Sequence, residues 1–143
     1  MAKGRSTISL FLDSSVLFSA TYSVIGGSSK LFTLKNIKLN VSKVVLHEVE
    51  KNVRQKLESY HLDRFFMLTS KLNILDNYLN DNLIKKAKKY IVEKDSVILA
   101  EFLNSNCKYL ITLDKKDFLQ EKVIKFVKPK KILTPKMFLE ANK

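Results

Sequence analysis

The stretch ISLFLDSS, residues 8–15, contains the first strand-like segment of the chain. Its mostly apolar run is rich in strand-forming residues and ends abruptly on the carboxylate of Asp13. A nearly continuous apolar run is typical of a strand buried on both faces of a parallel sheet. The stretch YLITLDKKDF, residues 109–118, repeats the pattern and ends its apolar run on Asp114. The sequence therefore predicts two buried parallel strands, each with an acid at its carboxyl end.

The rest of the chain alternates between strand-like and helix-like patterns. Strands are predicted at residues 8–12, 38–41, 109–113, 123–126 and 131–133. Helices are predicted at residues 14–24, at a short segment capped by Ser28 or Ser29, at 42–57, 62–72 and 81–92, from Asp95 onward, and after Thr134 as a cap. This alternation predicts a three-layer α/β/α domain with a central, mostly parallel sheet. No linker-like or repeated segment interrupts the chain, so residues 1–143 are predicted to form a single domain.

Two further acids are predicted to lie near the carboxyl ends of the strands. Glu48 lies in the helix that begins at Ser42, one position off its buried stripe of valines, so it borders the core. Asp95 stands at the start of the helix DSVILAEFL. Because parallel strands end at the same edge of a sheet, these two acids are predicted to share one rim with Asp13 and Asp114.

Each acid also has a purely structural interpretation. Asp95 and Asp13 could cap the helices that they precede. Asp114 could begin a turn with Asp117 at its far end. Glu48 could be a solvated helix residue, which is the usual environment of a glutamate.

A metal site is the functional interpretation of the acidic rim. Carboxylates that gather closely repel one another unless a cation is present, and all-oxygen ligands select hard ions such as Mg²⁺ or Mn²⁺. The formal net charge is +12, from 26 Lys and Arg against 14 Asp and Glu. A field of that sign attracts polyanions or acidic proteins, although a lysine-rich solubilising surface explains the same composition. Acids that bind a metal, together with lysines that bind a nucleic-acid strand, predict a phosphodiesterase acting on nucleic acid.

Other classes of protein are disfavoured by the composition. Cys107 is the only cysteine, which excludes a disulfide framework and a cysteine-based zinc site. No apolar stretch approaches the ~20 residues of a membrane span. The basic N-terminus lacks the small-residue cleavage site of a signal peptide, so a cytoplasmic protein with no membrane association is expected.

Several segments of the chain resemble the PIN-domain nucleases, most closely the VapC-like ribonuclease toxins of toxin–antitoxin systems. These segments are FLDSSVLFSA, SKVVLHEV, KDSVILAEFLNSNCKYLITLDKKDF and ILTPKMFLEA. The resemblance rests on the order Asp13, Glu48, Asp95 and Asp114, with spacings of 35, 47 and 19 residues. It implies an endoribonuclease that depends on Mg²⁺ or Mn²⁺. Asp13, Asp95 and Asp114 would bind the metal, Glu48 would complete the catalytic cluster, and Asp117 is a further candidate ligand.

The resemblance also assigns supporting residues. Thr112, in a TxD pattern, and Ser14 would orient the acids or a backbone phosphate. Ser15 stands where the family often has an asparagine, which predicts one weaker hydrogen bond in the site. Lys115 and Lys116 are candidate RNA contacts, because they directly follow the acid of the second strand.

The implied partners are RNA, single-stranded or structured, and an acidic antitoxin protein. A homodimer is expected, with the Phe-rich helix at residues 62–72 as a candidate interface. Two alternatives stay open: a PIN-type RNA-processing nuclease without an antitoxin, and a basic RNA-binding module with a degenerate site.

Aromatic and histidine residues are predicted to lie outside the catalytic site. Phe65, Phe66 and Phe102 are predicted to be core residues instead of base-stacking platforms. His47 adjoins Glu48 on a helix, where successive side chains diverge by ~100°, so a surface histidine is expected.

Overall fold

A sheet of five parallel strands runs through the residues that the computed structural model describes, 7–76 and 80–142. The strands are β1 (Ile8–Leu12), β2 (Ile37–Ser42), β3 (Asn73–Leu75), β4 (Tyr109–Ile111) and β5 (Lys131–Leu133). They lie in the order β3-β2-β1-β4-β5, and every neighbouring pair is parallel. The predicted central parallel sheet is confirmed.

Helices cover both faces of this sheet. They are α1 (Ser14–Tyr22), α2 (Gly27–Leu31), α3 (Lys43–Lys56), α4 (Ser59–Thr69), α5 (Asp81–Ala87), α6 (Glu93–Asn104), α7 (Glu121–Val127) and α8 (Pro135–Ala141). Helices α1, α3 and α4 pack on one another, α5 packs on α6, and α8 packs on α2 and β5. Because crossovers between parallel strands are right-handed as a rule, growth of the sheet in opposite directions from β1 places the helices of the two halves on opposite faces. The predicted three-layer α/β/α architecture is therefore confirmed.

The middle strand, β1, is the centre of the core. Leu10, Phe11 and Leu12 are fully buried, because both faces of the strand are covered. On one side the ring of Phe11 packs on that of Phe102 in α6, with 5.9 Å between centroids. The buried stripe of valines on α3 packs against α1. Burial from both sides explains why the first strand is a nearly continuous apolar run, interrupted only by Ser9, and does not alternate regularly with polar residues.

The direction in which the sheet grows reverses at β1. The chain adds β2 and β3 on one side of β1 and then returns to add β4 and β5 on the other. At such a switch point the two crossovers diverge and leave a crevice outside the carboxyl ends of the strands. Leu12 pairs with Ile111 in the register, and the Asp13 N–H donates to the Ile111 carbonyl at 3.0 Å. The residues that follow β1 and β4 therefore meet at this crevice.

Two features of the sheet differ from the sequence prediction. The predicted strand at 123–126 is wrong, because these residues lie in α7. Val123 and Val127 are the buried residues of α7, and Glu121 forms an ion pair with Lys125 at 3.0 Å. A four-residue spacing fits one face of a helix, whereas a strand repeats every two residues. Sequence patterning does not predict β3, because three residues at the edge of a sheet are too few to show a period.

Two helix starts test the predicted caps. Ser28 and Ser29 do not cap α2, because both lie inside it and Gly26 occupies the cap position. Gly26 has a φ of 106°, which glycine adopts without the strain that a side chain would cause. The predicted cap of the terminal helix is confirmed, since the Thr134 hydroxyl accepts a hydrogen bond from the Met137 N–H at 3.1 Å.

Other predicted environments are partly confirmed. Phe65 and Phe102 are buried, whereas the core prediction for Phe66 is wrong, since its side chain is 48% exposed. The predicted helix at 81–92 is too long, because α5 ends at Ala87. Within the two described ranges, no helix combines the length and the apolar character that crossing a bilayer needs. The basic N-terminal residues 1–6 lie outside the described residues.

Asn40 is a buried amide that joins three strands, and it provides a test of the fold. Its Nδ2 donates to the carbonyls of Leu10 and Lys38 at 3.0 and 3.1 Å, and its Oδ1 accepts from Nδ2 of Asn73 at 2.7 Å. We expect Asn40→Ala to lower the free energy of unfolding by about 2–3 kcal/mol, because these buried groups lose their partners. Urea unfolding measures the change, with the exposed Lys38→Ala as a control. An Asn40→Ala protein as stable as the wild type would contradict the interpretation.

Candidate functional site

A cavity of about 240 Å³ lies in the crevice at the carboxyl ends of β1 and β4. Its lining includes four of the five candidate acids, Asp13, Glu48, Asp95 and Asp114, whereas Asp117 does not line it. The other lining residues are Ser14, Ser15, Phe18, Asn52, Lys56 and Lys94. We term this space the acidic cavity. A larger cavity of about 450 Å³ lies between α2 and α8, but Glu140 supplies its only lining carboxylate among the described residues.

Asp13 is held in the wall of the acidic cavity by hydroxyl groups. Its side chain is only 3% exposed, and its Oδ2 accepts hydrogen bonds from Thr112 Oγ1 at 2.8 Å and Ser15 Oγ at 2.7 Å. The Ser14 hydroxyl lies farther away, 3.4 Å from Oδ1. Asp13 occupies the cap position of α1, yet its carboxylate makes no capping hydrogen bond. The capping alternative is therefore wrong, and the carboxylate is bound to the segment after β4 instead.

Thr112 and Ser15 join the ends of β1 and β4. The Thr112 hydroxyl accepts a hydrogen bond from the Asp114 N–H at 3.0 Å, and the Ser15 hydroxyl accepts one from the Leu113 N–H at 3.0 Å. Each hydroxyl also donates to Asp13, so each makes two bonds that fix the relative position of the acids. Ser15 thus donates a hydrogen bond to Asp13 from a short side chain, at the position where PIN-domain nucleases often have an asparagine.

Asp95, Asp114 and Asp117 form the tightest acidic group. One carboxylate oxygen from each of them lies within 4.8 Å of the others. Asp95 lies in the first turn of α6, whose cap position is Val92, so the capping alternative for Asp95 is wrong. The Asp117 N–H donates to Asp114 Oδ1 at 2.9 Å, which is the turn that the structural interpretation predicted. The turn and the acidic group exist together, because this turn brings Asp117 beside Asp114.

The acidic cavity fits a hard divalent cation. Two buried carboxylate oxygens of its lining, Oε2 of Glu48 and Oδ2 of Asp95, have no hydrogen-bond partner within the described ranges. Oε1 of Glu101 shares this property, but Glu101 does not line the cavity. Unpartnered buried oxygens are costly, and a cation with oxygen ligands would satisfy those at the cavity. The donor set is all oxygen, which suits Mg²⁺ or Mn²⁺ and disfavours softer ions.

Burial and mutual repulsion raise the pKa values of two acids. Burial is the largest cause for Asp13, whose raised pKa is opposed by the hydrogen bonds from Ser15 and Thr112. The pKa of Asp95 is raised to about 7, first by burial and then by the negative charge of Asp13, while Lys94 opposes the shift. Asp95 is therefore partly protonated at neutral pH, and a cation that binds it has to displace that proton.

The lysines that line the acidic cavity differ from the two that the sequence indicated as RNA contacts. Lys115 and Lys116 are exposed on the turn after β4 and do not line it, and Lys115 lines a different cavity. Lys56 at the end of α3 and Lys94 at the start of α6 line it instead. Lys56 lies about two helical turns beyond Glu48, and this spacing could have indicated that both residues share one face.

Comparison with known proteins identifies the fold. The sequence matches no protein-family model and no curated protein. Among solved structures, VapBC2 from Rickettsia felis, bound to a DNA fragment from its promoter, superposes with a TM-score of 0.67 at 19% identity, covering 88% of this chain and 97% of that chain. PAE2754 from Pyrobaculum aerophilum gives 0.64 at 14% identity, with coverage of 98% and 100%. VapBC-1 from nontypeable Haemophilus influenzae gives 0.58 at 21% identity, with coverage of 78% and 91%.

The chain has the fold of these three structures. The predicted fold class is thereby confirmed over most of the chain. At these identities the likeness concerns the fold alone, and the roles of the acids rest on the geometry of the cavity.

Ser15→Ala tests the positioning of Asp13. The substitution removes one donor from Asp13 and the acceptor of the Leu113 N–H. We expect Mn²⁺ affinity to fall about tenfold, since partners that orient a ligand typically contribute this much. Isothermal titration calorimetry measures the affinity, and Ser19→Ala on the same helix is the matched control. Unchanged Mn²⁺ affinity in Ser15→Ala would contradict the positioning role.

Asp95→Asn tests the electrostatic repulsion in the acidic cavity. In the folded chain Asp95 keeps its proton up to a pH of about 7, whereas the ordinary aspartate pKa is 3.8. The contribution of protonated Asp95 to the free energy of unfolding should therefore be fully present below pH 4 and be lost as the pH rises through 7. In EDTA at pH 8 we expect Asp95→Asn to raise the free energy of unfolding, because the substitution removes a buried negative charge. The expected rise is on the order of 2 kcal/mol, a figure that allows for screening of the charge by solvent.

Urea unfolding at pH 4 and pH 8 measures this difference. The gap between Asp95→Asn and the wild type should close at about pH 4, where both side chains are neutral in the folded state. The exposed Asp63→Asn on α4 serves as a control. A gap of the same size at both pH values would contradict the prediction.

Proposed function

We propose that the protein is a Mg²⁺- or Mn²⁺-dependent endoribonuclease with the acidic cavity as its catalytic centre. The convergence of Asp13, Glu48, Asp95 and Asp114 in one cavity at the switch point of the sheet carries this proposal. The net charge of +12 suits a polyanionic substrate. RNA as that substrate follows from the PIN-domain resemblance.

The acids divide into ligands and supports. Asp95, Asp114 and Asp117 are closest together and would hold a divalent cation with Asp13 as a further ligand, while Glu48 would complete the cluster. Such a cation polarises a phosphate, activates water and stabilises the leaving oxygen when it is bound. The carboxylates together accept the proton that the attacking water releases, so the reaction needs no histidine base.

The remaining side chains of the acidic cavity bind and orient. A phosphodiester approaching several carboxylates is repelled, and Lys56 and Lys94 in the same lining offset that repulsion. The hydroxyls of Thr112 and Ser15 keep the Asp13 carboxylate in one orientation. Fixed orientation of a reacting group lowers the barrier, because no entropy is lost in arranging it during the reaction.

A toxin role is the proposed biological context. Two of the similar solved structures are of VapBC proteins. An acidic antitoxin protein suits a chain with this excess of lysine. We also propose a cytoplasmic homodimer of single-domain chains joined through α4, where Phe66 and Met67 are 48% and 43% exposed.

Asp13→Asn provides the test of catalysis. The wild type should cleave labelled single-stranded RNA in Mn²⁺ or Mg²⁺, and EDTA should abolish the cleavage. We expect Asp13→Asn to lower the rate about 100-fold or more, because a neutral amide replaces a buried carboxylate of the metal cluster. Gel analysis of the labelled RNA measures the rate, and Asp63→Asn, an exposed aspartate on α4, should cleave like the wild type.

The other outcomes identify the alternatives. Cleavage that persists in Asp13→Asn or resists EDTA would contradict a metal nuclease. RNA binding without cleavage in any metal would indicate a basic RNA-binding module with a degenerate site. Cleavage by a protein that is harmless when expressed alone would favour an RNA-processing nuclease without an antitoxin.

A further inference from the structure

A second cavity opens beside the acidic cavity, between α3 and α6. Its volume is about 490 Å³, against about 240 Å³ for the acidic cavity. Glu48 and Lys94 line both spaces, so the two adjoin. The lining that belongs to the second cavity alone is Lys43, Val44, His47, Lys51 and Ile98. We term this second cavity the lysine groove.

The cations of the lysine groove are mostly uncompensated. Within the two described ranges, neither Lys51 nor Lys94 forms an ion pair. Lys43 pairs with Asp76 at 3.1 Å, but both side chains are largely exposed, so the pairing is weak. Among the described residues, Glu48 is the only acid in the groove lining, and it lies where the groove meets the acidic cavity. The groove therefore attracts anions along the part that leads away from the catalytic acids.

The surface between these lysines is apolar. Val44 is 42% exposed in the groove, although an exposed position on α3 could carry a polar residue at no cost. His47 also offers an exposed imidazole ring, whereas Ile98 on α6 lines the groove with a side chain that is only 3% exposed. Cations beside an apolar or aromatic surface suit a single-stranded nucleic acid, whose phosphates contact the cations while its base faces cover the apolar surface. A duplex buries its base faces and could not use Val44 and His47 in this way.

We propose that the lysine groove binds the nucleotides next to the scissile phosphate of a single-stranded RNA. Lys51 and Lys94 contact the backbone, and His47 and Val44 contact a base. The inference rests on the proposed function, because a strand with one phosphate in the acidic cavity can continue past Glu48 and Lys94. It assigns RNA contacts to this groove in place of Lys115 and Lys116. An acidic peptide would also be attracted, but continuity with a cavity that accepts a phosphodiester favours the polynucleotide.

Charge reversal at Lys51 tests the backbone contact. Fluorescence anisotropy of a labelled single-stranded RNA of about 12 nucleotides measures the dissociation constant in EDTA, where cleavage does not interfere. We expect Lys51→Glu to weaken RNA binding about fivefold or more and to reduce the salt dependence by about one counterion. Lys122→Glu, an exposed residue on α7, makes the same charge change away from the groove and should alter affinity less than about twofold.

Val44→Asp tests the apolar surface independently. An added carboxylate there should weaken RNA binding by a similar factor, because it repels phosphate and is a poor contact for a base. Ile25→Asp, at a residue 79% exposed in the segment between α1 and α2, is the matched control. Both substituted groove residues are exposed, so circular dichroism of the variants should match that of the wild type.

A labelled peptide of about 12 glutamates separates RNA from an acidic peptide. RNA affinity that is unchanged in both groove variants would overturn the proposal. An equal loss of affinity for RNA and for the peptide would also overturn it, since the groove would then attract any anion. A selective loss of RNA affinity would support it. Failure of the proposed function is distinguishable, because it appears as absent cleavage in Mn²⁺ whatever the result of the EDTA binding experiment.

Discussion

The hydrogen bond from the Thr112 hydroxyl to the Asp13 carboxylate joins two strands at the point where the sheet changes its direction of growth. A carboxylate that is 3% exposed is costly unless donors surround it. Thr112 and Ser15 supply those donors, and their own acceptor positions bind the N–H groups of Asp114 and Leu113. The same four hydrogen bonds therefore satisfy Asp13, close the carboxyl ends of β1 and β4, and place Asp114 beside the crevice. Since β1 is the central strand and its last three residues are fully buried, the position of this carboxylate is set by the whole core.

Around that point the molecule concentrates negative charge in a chain that is positive overall. Asp95 is protonated more readily than an ordinary aspartate, because it is buried and faces other acids. The unpartnered oxygens of Glu48 and Asp95 have the same origin. Lysines stand at the edges of this region, with Lys94 beside Asp95 and Lys56 across the acidic cavity. A negative centre inside a positive surface suits the combination of a cation and a polyanion. The negative centre attracts the cation but alone would repel the polyanion, and the positive surface does the reverse.

Sequence patterning predicted the central strand and the longest helix, and it failed where the same residues fit both a helix and a strand. The strand at Ile8–Leu12 and the helix at Lys43–Lys56 follow from their apolar patterns. The segment Glu121–Val127 was misread because its valines, four residues apart, are interspersed with β-branched and aromatic residues that also favour strands. Phe66 shows a second limit: hydrophobicity predicts burial on average, but α4 presents this ring to solvent beside the buried Phe65.

Local patterns in the sequence predict the alternation of strands and helices, the acids at the carboxyl ends of two strands, and the sign of the surface charge. These are local or additive properties, because each depends on neighbouring residues or on a sum over the chain. Three further relations appear only in the folded chain: Asp117 lies close to Asp95, Ser15 and Thr112 share Asp13, and Lys56 and Lys94, not Lys115 and Lys116, line the acidic cavity. Those relations depend on the order of strands in the sheet and on how α3 and α6 pack. Both are set by contacts between residues that are far apart in the sequence.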